Sequence, residues 1–307
     1  MYIFAAQKLL QTIKMKKFLH YFATLLLGCL ALASCSTEGK NETVTVQTFN
    51  NAFVHVNDIE GGTAAYYGNI RYEVRINYTQ PSADITIAGL KLTDGTSFPQ
   101  FVIQGLKVAI DSKGWLEITG ENITPRISGV SSVPVIGKIR MRIYQRYIET
   151  DYLPAFSLSM SLDNKYSIVS SYVNQYCYGS TICSSDKGLR FETKNTTYKL
   201  SFNIETRCVT VTLNKAQFMA QMPAMDMVFK NIPFTLQGSK AVFSIDKLIP
   251  ELGNTPAAGF PITDLEGSLD FGGDFKFGFT CTPATMGGMA FDVEVAKGGF
   301  PPVVMEE

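Results

Sequence analysis

The chain has 307 residues, 46% of them hydrophobic and 18% charged, with 27 Lys and Arg against 27 Asp and Glu. That balance excludes a disordered, collagenous or strongly nucleic-acid-binding protein and leaves one or two globular domains. With one Trp and two His, chemistries that need several histidines are short of parts.

The first element is an export signal. Lys14, Lys16 and Lys17 precede an almost uncharged apolar run from Phe18 to Ala33, the order of a secretory signal, and the run is too short for a transmembrane helix. It ends in Leu32-Ala33-Ser34-Cys35, which resembles a bacterial lipobox, with a chance cysteine after an ordinary signal as the alternative. The resemblance implies a signal peptide over residues 1–34, an acyl anchor on Cys35, a polar tether over residues 35–44, and residence in the cell envelope at the outer membrane, on either leaflet. Met15 begins a better-shaped signal than Met1, so residues 1–14 are expected to come from an upstream start. Cleavage before Cys35 removes four of the 27 basic residues and no acid, leaving 23 against 27 and a formal charge of −4. That argues against a nucleic-acid partner.

The remainder reads as an internal duplication. Phe49 to Phe53 recurs loosely as Tyr172 to Tyr176, Tyr72 to Asn77 as Tyr198 to Asn203, and Ile85-Thr86-Ile87 as Val209-Thr210-Val211. Further on, Phe98-Pro99 matches Met222-Pro223, Ile123-Thr124-Pro125 matches Leu248-Ile249-Pro250, and Val133-Pro134-Val135 matches Phe260-Pro261-Ile262. Six landmarks in one order predict two units, at residues 45–165 and 166–307.

Both units read as strands. The periods of two at residues 71–78 (RYEVRINY) and 138–144 (KIRMRIY) predict strands with one buried face. In chain order similar runs cover 83–92, 101–110, 155–162, 198–204, 208–213, 226–236, 240–245, 267–271, 274–281 and 289–295. Asp94-Gly95, Gly238 and Gly272-Gly273 are expected in hairpin turns that need positive φ. Residues 213–222 predict at most a short helix. The fold class expected is all-β: two tandem, duplicated antiparallel β-barrel or β-sandwich domains.

The order of a VTVTL strand, MPAMDMVFKNIPFTL, KAVFSI and ITDLEGSLDF resembles the calycin-like (lipocalin-type) β-domains of envelope lipoproteins in gut Bacteroidota, a largely uncharacterised family. The resemblance implies a scaffold able to hold a ligand and identifies none.

Candidate sites are few. Cys177 and Cys183 flank a turn-like YGSTI and are the expected disulfide, with buried thiols as the alternative. A zinc site is not expected, because the spacings lack two close cysteine pairs. His55 lies in a strand pattern and no G-x-S-x-G elbow accompanies it, while Glu117, Asp264 and Glu266 look like ordinary strand-face acids, so no catalytic residue, metal or cofactor is expected. Tyr66, Tyr67, Trp115, Tyr176 and Tyr178 are the ligand-binding candidates, since exposed rings stack on sugars or close a barrel mouth. The alternative, which each ring taken singly favours, is that it plugs the core of a small β-domain. Met219, Met222, Met225 and Met227 form a stretch able to line a pocket. Lys138, Arg140, Arg142 and Arg146 form a basic stripe, readable as a solvated face or as a contact for acidic glycans. The function expected is non-catalytic binding of a small apolar molecule, lipid or glycan; the alternative is a structural or interaction protein, such as an adhesin, a pilus-like subunit or an accessory component of a surface complex.

Overall fold

A computed structural model describes residues 43–300, apart from 112–114, 128–132, 145–146, 149–150 and 153–154. The signal, Cys35 and Arg146 lie outside the described residues. Residues from Thr43 onward form one compact unit.

Sixteen long strands build two closed antiparallel barrels. The first holds β1 (Val44–Asp58), β2 (Ala64–Asn77), β3 (Ser82–Lys91), β4 (Ser97–Ile110), β5 (Leu116–Ile123), β6 (Ile136–Tyr144), β7 (Ala155–Leu162) and β8 (Tyr166–Tyr172). Each strand pairs with its neighbours in sequence, and β8 returns to β1, which closes eight strands up and down. The second holds β9 (Asn174–Ser185), β10 (Thr197–Asn203), β11 (Cys208–Ala216), β12 (Met225–Gln237), β13 (Lys240–Leu248), β14 (Ile262–Asp270), β15 (Asp274–Cys281) and β16 (Phe291–Gly299), closed by β16 on β9. Closure leaves no long free edge. The barrel alternative is the one realised.

The period of two explains the interiors. In β6, Ile139, Met141 and Ile143 are buried while Lys138 and Arg140 are exposed. Both barrels are filled by side chains: Tyr72, Ile85, Phe101, Ile118 and Phe156 in the first, and Tyr198, Phe229, Phe243, Phe275 and Phe277 in the second. The expected turns hold at Gly95, Gly238 and Gly273, with φ of 89°, 60° and 112°. One turn carries no glycine signal in the sequence: Asp163, Asn164 and Lys165 connect β7 to β8, with Asp163 and Asn164 at φ of 52° and 54° and the Lys165 amide donating to the carbonyl of Leu162 at 3.0 Å.

The duplication is visible in matched devices. Asn77 Oδ1 accepts from the amides of Thr79 and Gln80 at 2.9 and 3.0 Å, and Asn203 Oδ1 accepts from those of Glu205 and Thr206 at 3.0 Å each. Each side chain makes the turn that ends the second strand of its barrel. The extra residue that bulges β4 is Gly105 (φ 71°), and its counterpart in β12 is Asn231 (φ 59°).

Three expectations change. β8 was expected to open the second unit, but it pairs with β1 and β7, so the first barrel runs to Tyr172 and the second starts at Asn174. The first landmark also slips: Tyr72 lies opposite Phe49, whereas Tyr198 lies opposite Cys177. Residues 213–222 hold no helix, because Leu213 to Ala216 complete β11 and a loop follows.

Candidate functional site

The barrels meet through a face that strand periodicity does not announce. In β1, Ala52, Val54 and Val56 point into the first barrel, yet Phe53 between them is also fully buried. Its ring packs on Phe202 at 6.2 Å and edge-on to Phe271 at 5.6 Å, inside the second barrel's cluster, which Val169 of β8 also joins. One end of the second barrel, carrying the turns around Arg207, Ser239 and Gly273, thus abuts the outer face of the first.

Tyr144, at the end of β6, fastens this contact. Its hydroxyl donates to the carbonyl of Phe271 at 2.8 Å, and burial raises its pKa. Trp115 stands edge-on to Tyr144 at 4.3 Å, and Phe300 lies 5.0 Å from it. Gly273 is required here, since a Cβ would lie 2.9 Å from the indole.

Beside the junction is an open cleft of about 620 Å³. Two β-bulges shape its first wall. Between Phe49 and Ala52 β1 carries an extra residue, and between Tyr67 and Ile70 β2 carries one; Asn51 and Asn69 take the left-handed conformation, with φ of 58° and 59°. Asparagine accepts that conformation, and bulges re-aim neighbouring side chains. The wall therefore presents Asn51, Asn69, Tyr66 and Tyr67, with Lys91 at its rim. The Tyr67 hydroxyl is fixed by donating to the carbonyl of Leu92 at 2.9 Å. The facing wall is the β10–β11 turn, with Phe202, Asn203, Ile204 and Glu205.

Tyr66 connects the two walls. His55 lies beside it with ring centroids 4.5 Å apart, and the Arg207 guanidinium sits 5.3 Å from the Tyr66 centroid. Burial and then the Arg207 charge lower the His55 pKa.

A second cleft, of about 240 Å³, lies between Arg140, Arg142, Ser157 and Ser159 on the first barrel and Ser239, Asp270 and Asp274 on the second. Glu117 pairs with Arg140 and, at 3.3 Å, with Arg142, and Lys138 reaches Glu121 at 4.0 Å. Two cross-strand acids of β5 thus pair with the three described bases of the stripe and offset part of its charge.

The candidate rings do not converge. Tyr66 and Tyr67 line the larger cleft, and Trp115 is packed at the barrel junction. Tyr176 and Tyr178 alternate with buried Cys177 and so stand on the outer face of β9, Tyr176 with the Lys199 ammonium 5.8 Å from its ring. Asn51, Asn69, Asn203 and Phe202 were missed. Their one sequence signal was asparagine or glycine interrupting a strand pattern, as in Asn50-Asn51 and Gly68-Asn69. Of the methionines, Met227 is fully buried core, while Met222 and Met225 pack partly exposed against it.

The expected Cys177–Cys183 disulfide is absent: both side chains are buried thiols. YGSTI is strand interior and not a turn, so the two cysteines sit six residues apart on β9, about 20 Å at about 3.3 Å per residue. That far exceeds the reach of a disulfide. Gly179 permits the strand to continue there, because a Cβ would lie 2.3 Å from the side chain of Val295. Burial pushes the Cys183 and Cys281 thiols up to about 12. Both should resist alkylation in the native protein near pH 8 and react once it is unfolded without reductant, as read by intact mass.

No known family model matches the chain, and no curated protein matches it. Among solved structures, a double-mutant form of the vaccine antigen transferrin-binding protein B from Haemophilus parasuis aligns with 84% of this chain and 76% of its own, at 5% identity and a TM-score of 0.22. A likeness at that level carries no argument, and the two-barrel assignment rests on the strand pairing of the chain itself.

Proposed function

We propose that the protein is a lipid-anchored bacterial envelope protein, of the Bacteroidota lipoprotein type, that binds a glycan without catalysis in the larger inter-barrel cleft. One observation carries the choice of ligand: the barrels are filled, and the open volume lies outside them, lined by three asparagines, two tyrosines, Lys91 and Glu205. Amide and phenol groups beside aromatic faces suit a hydroxyl-rich molecule, whereas a lipid or small apolar ligand would need an enclosed apolar pocket. Export and attachment through Cys35 rest on the order of basic start, apolar run and lipobox.

Native mass spectrometry of the chain from Ser36 onward, against a panel of oligosaccharides, tests this. A retained, competable sugar mass is expected, weakened about tenfold or more by Tyr67→Ala, on the scale of one lost aromatic contact. A bare protein mass across the panel would overturn the glycan reading. It would favour the interaction-protein alternative, which the filled barrels also suit, with exposed Leu189 and Ile249 at the end of the second barrel away from the junction.

A further inference from the structure

We infer that the larger cleft carries a built-in acid-sensitive latch, in which protonation of His55 releases the β10–β11 turn from Tyr66 and so loosens one wall of the cleft. The inference rests on the proposed cleft as the binding site and assigns its regulation.

The geometry is a three-group stack across the junction. His55 is half-buried on β1, opposite Tyr66 of β2 and Val169 of β8. Tyr66 also meets Phe234 of β12 edge-on at 6.3 Å. Arg207, in the left-handed conformation at φ 53°, brings its guanidinium to the same ring at 5.3 Å. The charged and titratable groups around His55 are therefore Tyr66 on β2 and Arg207 on the turn; β8 offers Val169 and Ser167, and β12 offers Phe234. Beyond them, Asp58 further along β1 is engaged by Lys165 at 3.8 Å, and Glu205 of the turn lines the cleft.

Neutral His55 leaves the Tyr66 ring to one cation. An imidazolium places a second positive charge beside that ring, where it draws on the same π-electron density and repels the guanidinium. Linkage makes the effect reciprocal: because Arg207 disfavours the charged imidazole, the charged imidazole weakens Arg207 docking by the same free energy. Burial first, and then the Arg207 charge carried by the docked turn, hold the His55 pKa below the ordinary 6.5, so releasing the turn removes the second of these and His55 binds its proton more readily. Docking is then full above about pH 6.5 and weakens as pH falls below it. The residues that follow the turn's displacement, Phe202, Asn203, Ile204 and Glu205, are those of the cleft's second wall. The latch works with the cleft empty.

The test is amide hydrogen exchange on the full chain at about pH 7.5 and about pH 5, with the intrinsic pH dependence of exchange divided out. Protection over residues 203–207 is expected to fall several-fold on acidification, while residues 278–281 of β15 and 291–295 of β16, at the far end of the second barrel, stay unchanged. His55→Gln is expected to remove that pH dependence, and Arg207→Gln to raise the His55 imidazole titration followed by NMR. Equal protection at both pH values, a fall that persists in His55→Gln, or a His55 titration unmoved by Arg207→Gln would each overturn the latch. Because ligand is absent throughout, these outcomes stand apart from the oligosaccharide panel, so the latch and the glycan reading can fail separately.

Discussion

Replacing Phe53 with alanine is expected to destabilise the protein by about 3–5 kcal/mol, the range for removing a fully buried phenylalanine ring. The side chain points out of the first barrel, so the lining formed by Ala52, Val54 and Val56 stays intact. What disappears is the ring against Phe202 and Phe271, which is a contact between the barrels. The damage should therefore show as lost cooperativity as well as lost stability. Calorimetry should resolve two transitions in Phe53→Ala where the parent gives one, with calorimetric enthalpy exceeding the van't Hoff value. A cost under about 1 kcal/mol with a single sharp transition would mean that the junction does not couple the barrels.

Phe277→Ala should cost a similar amount, about 3–5 kcal/mol, by a different route. Phe277 sits inside the second barrel among Tyr198, Phe229, Phe243, Phe275 and Phe279, at centroid distances of 5.5 to 6.3 Å. Truncation leaves an apolar void that closed sheet walls cannot collapse into easily, and such voids stay dry and take up small apolar solutes. The variant is expected to bind benzene or xenon measurably while the parent does not. Equal uptake by the parent would show that its barrel holds usable space, and a small apolar ligand would again compete with the glycan.

Much of the fold was legible because a strand with one buried face writes its burial as alternation. Residues 138–144 show this most cleanly, and turn signals such as Asp94-Gly95 marked where the chain reverses. The site was far less legible. β8 reads Tyr-Ser-Ile-Val-Ser-Ser-Tyr and alternates poorly because both its faces are covered, one by the first barrel's core and the other at the junction. Ser170 and Ser171 are buried there by donating to the carbonyls of Phe53 at 2.6 Å and Phe156 at 2.9 Å. Hydroxyls that look solvent-facing in sequence are thus satisfied inside. The cysteine expectation failed for a related reason: Gly179 and Ser180 look like a turn until the close approach of Val295 shows why the strand has no side chain there.

By itself the sequence determined the all-β class, the duplication and the inward residues of most strands, since these follow from local periodicity, turn chemistry and repeated spacing. The tertiary structure alone decided that β8 closes the first barrel, that the barrels are filled, and that Phe53, Trp115 and Tyr144 pack where they join. It also decided that Tyr66 and Tyr67 share a cleft with Asn203, 136 residues or more away in the chain. The physical reason is that alternation records whether a face is buried but not against what, and a cleft between two closed sheets exists only after both have closed and docked.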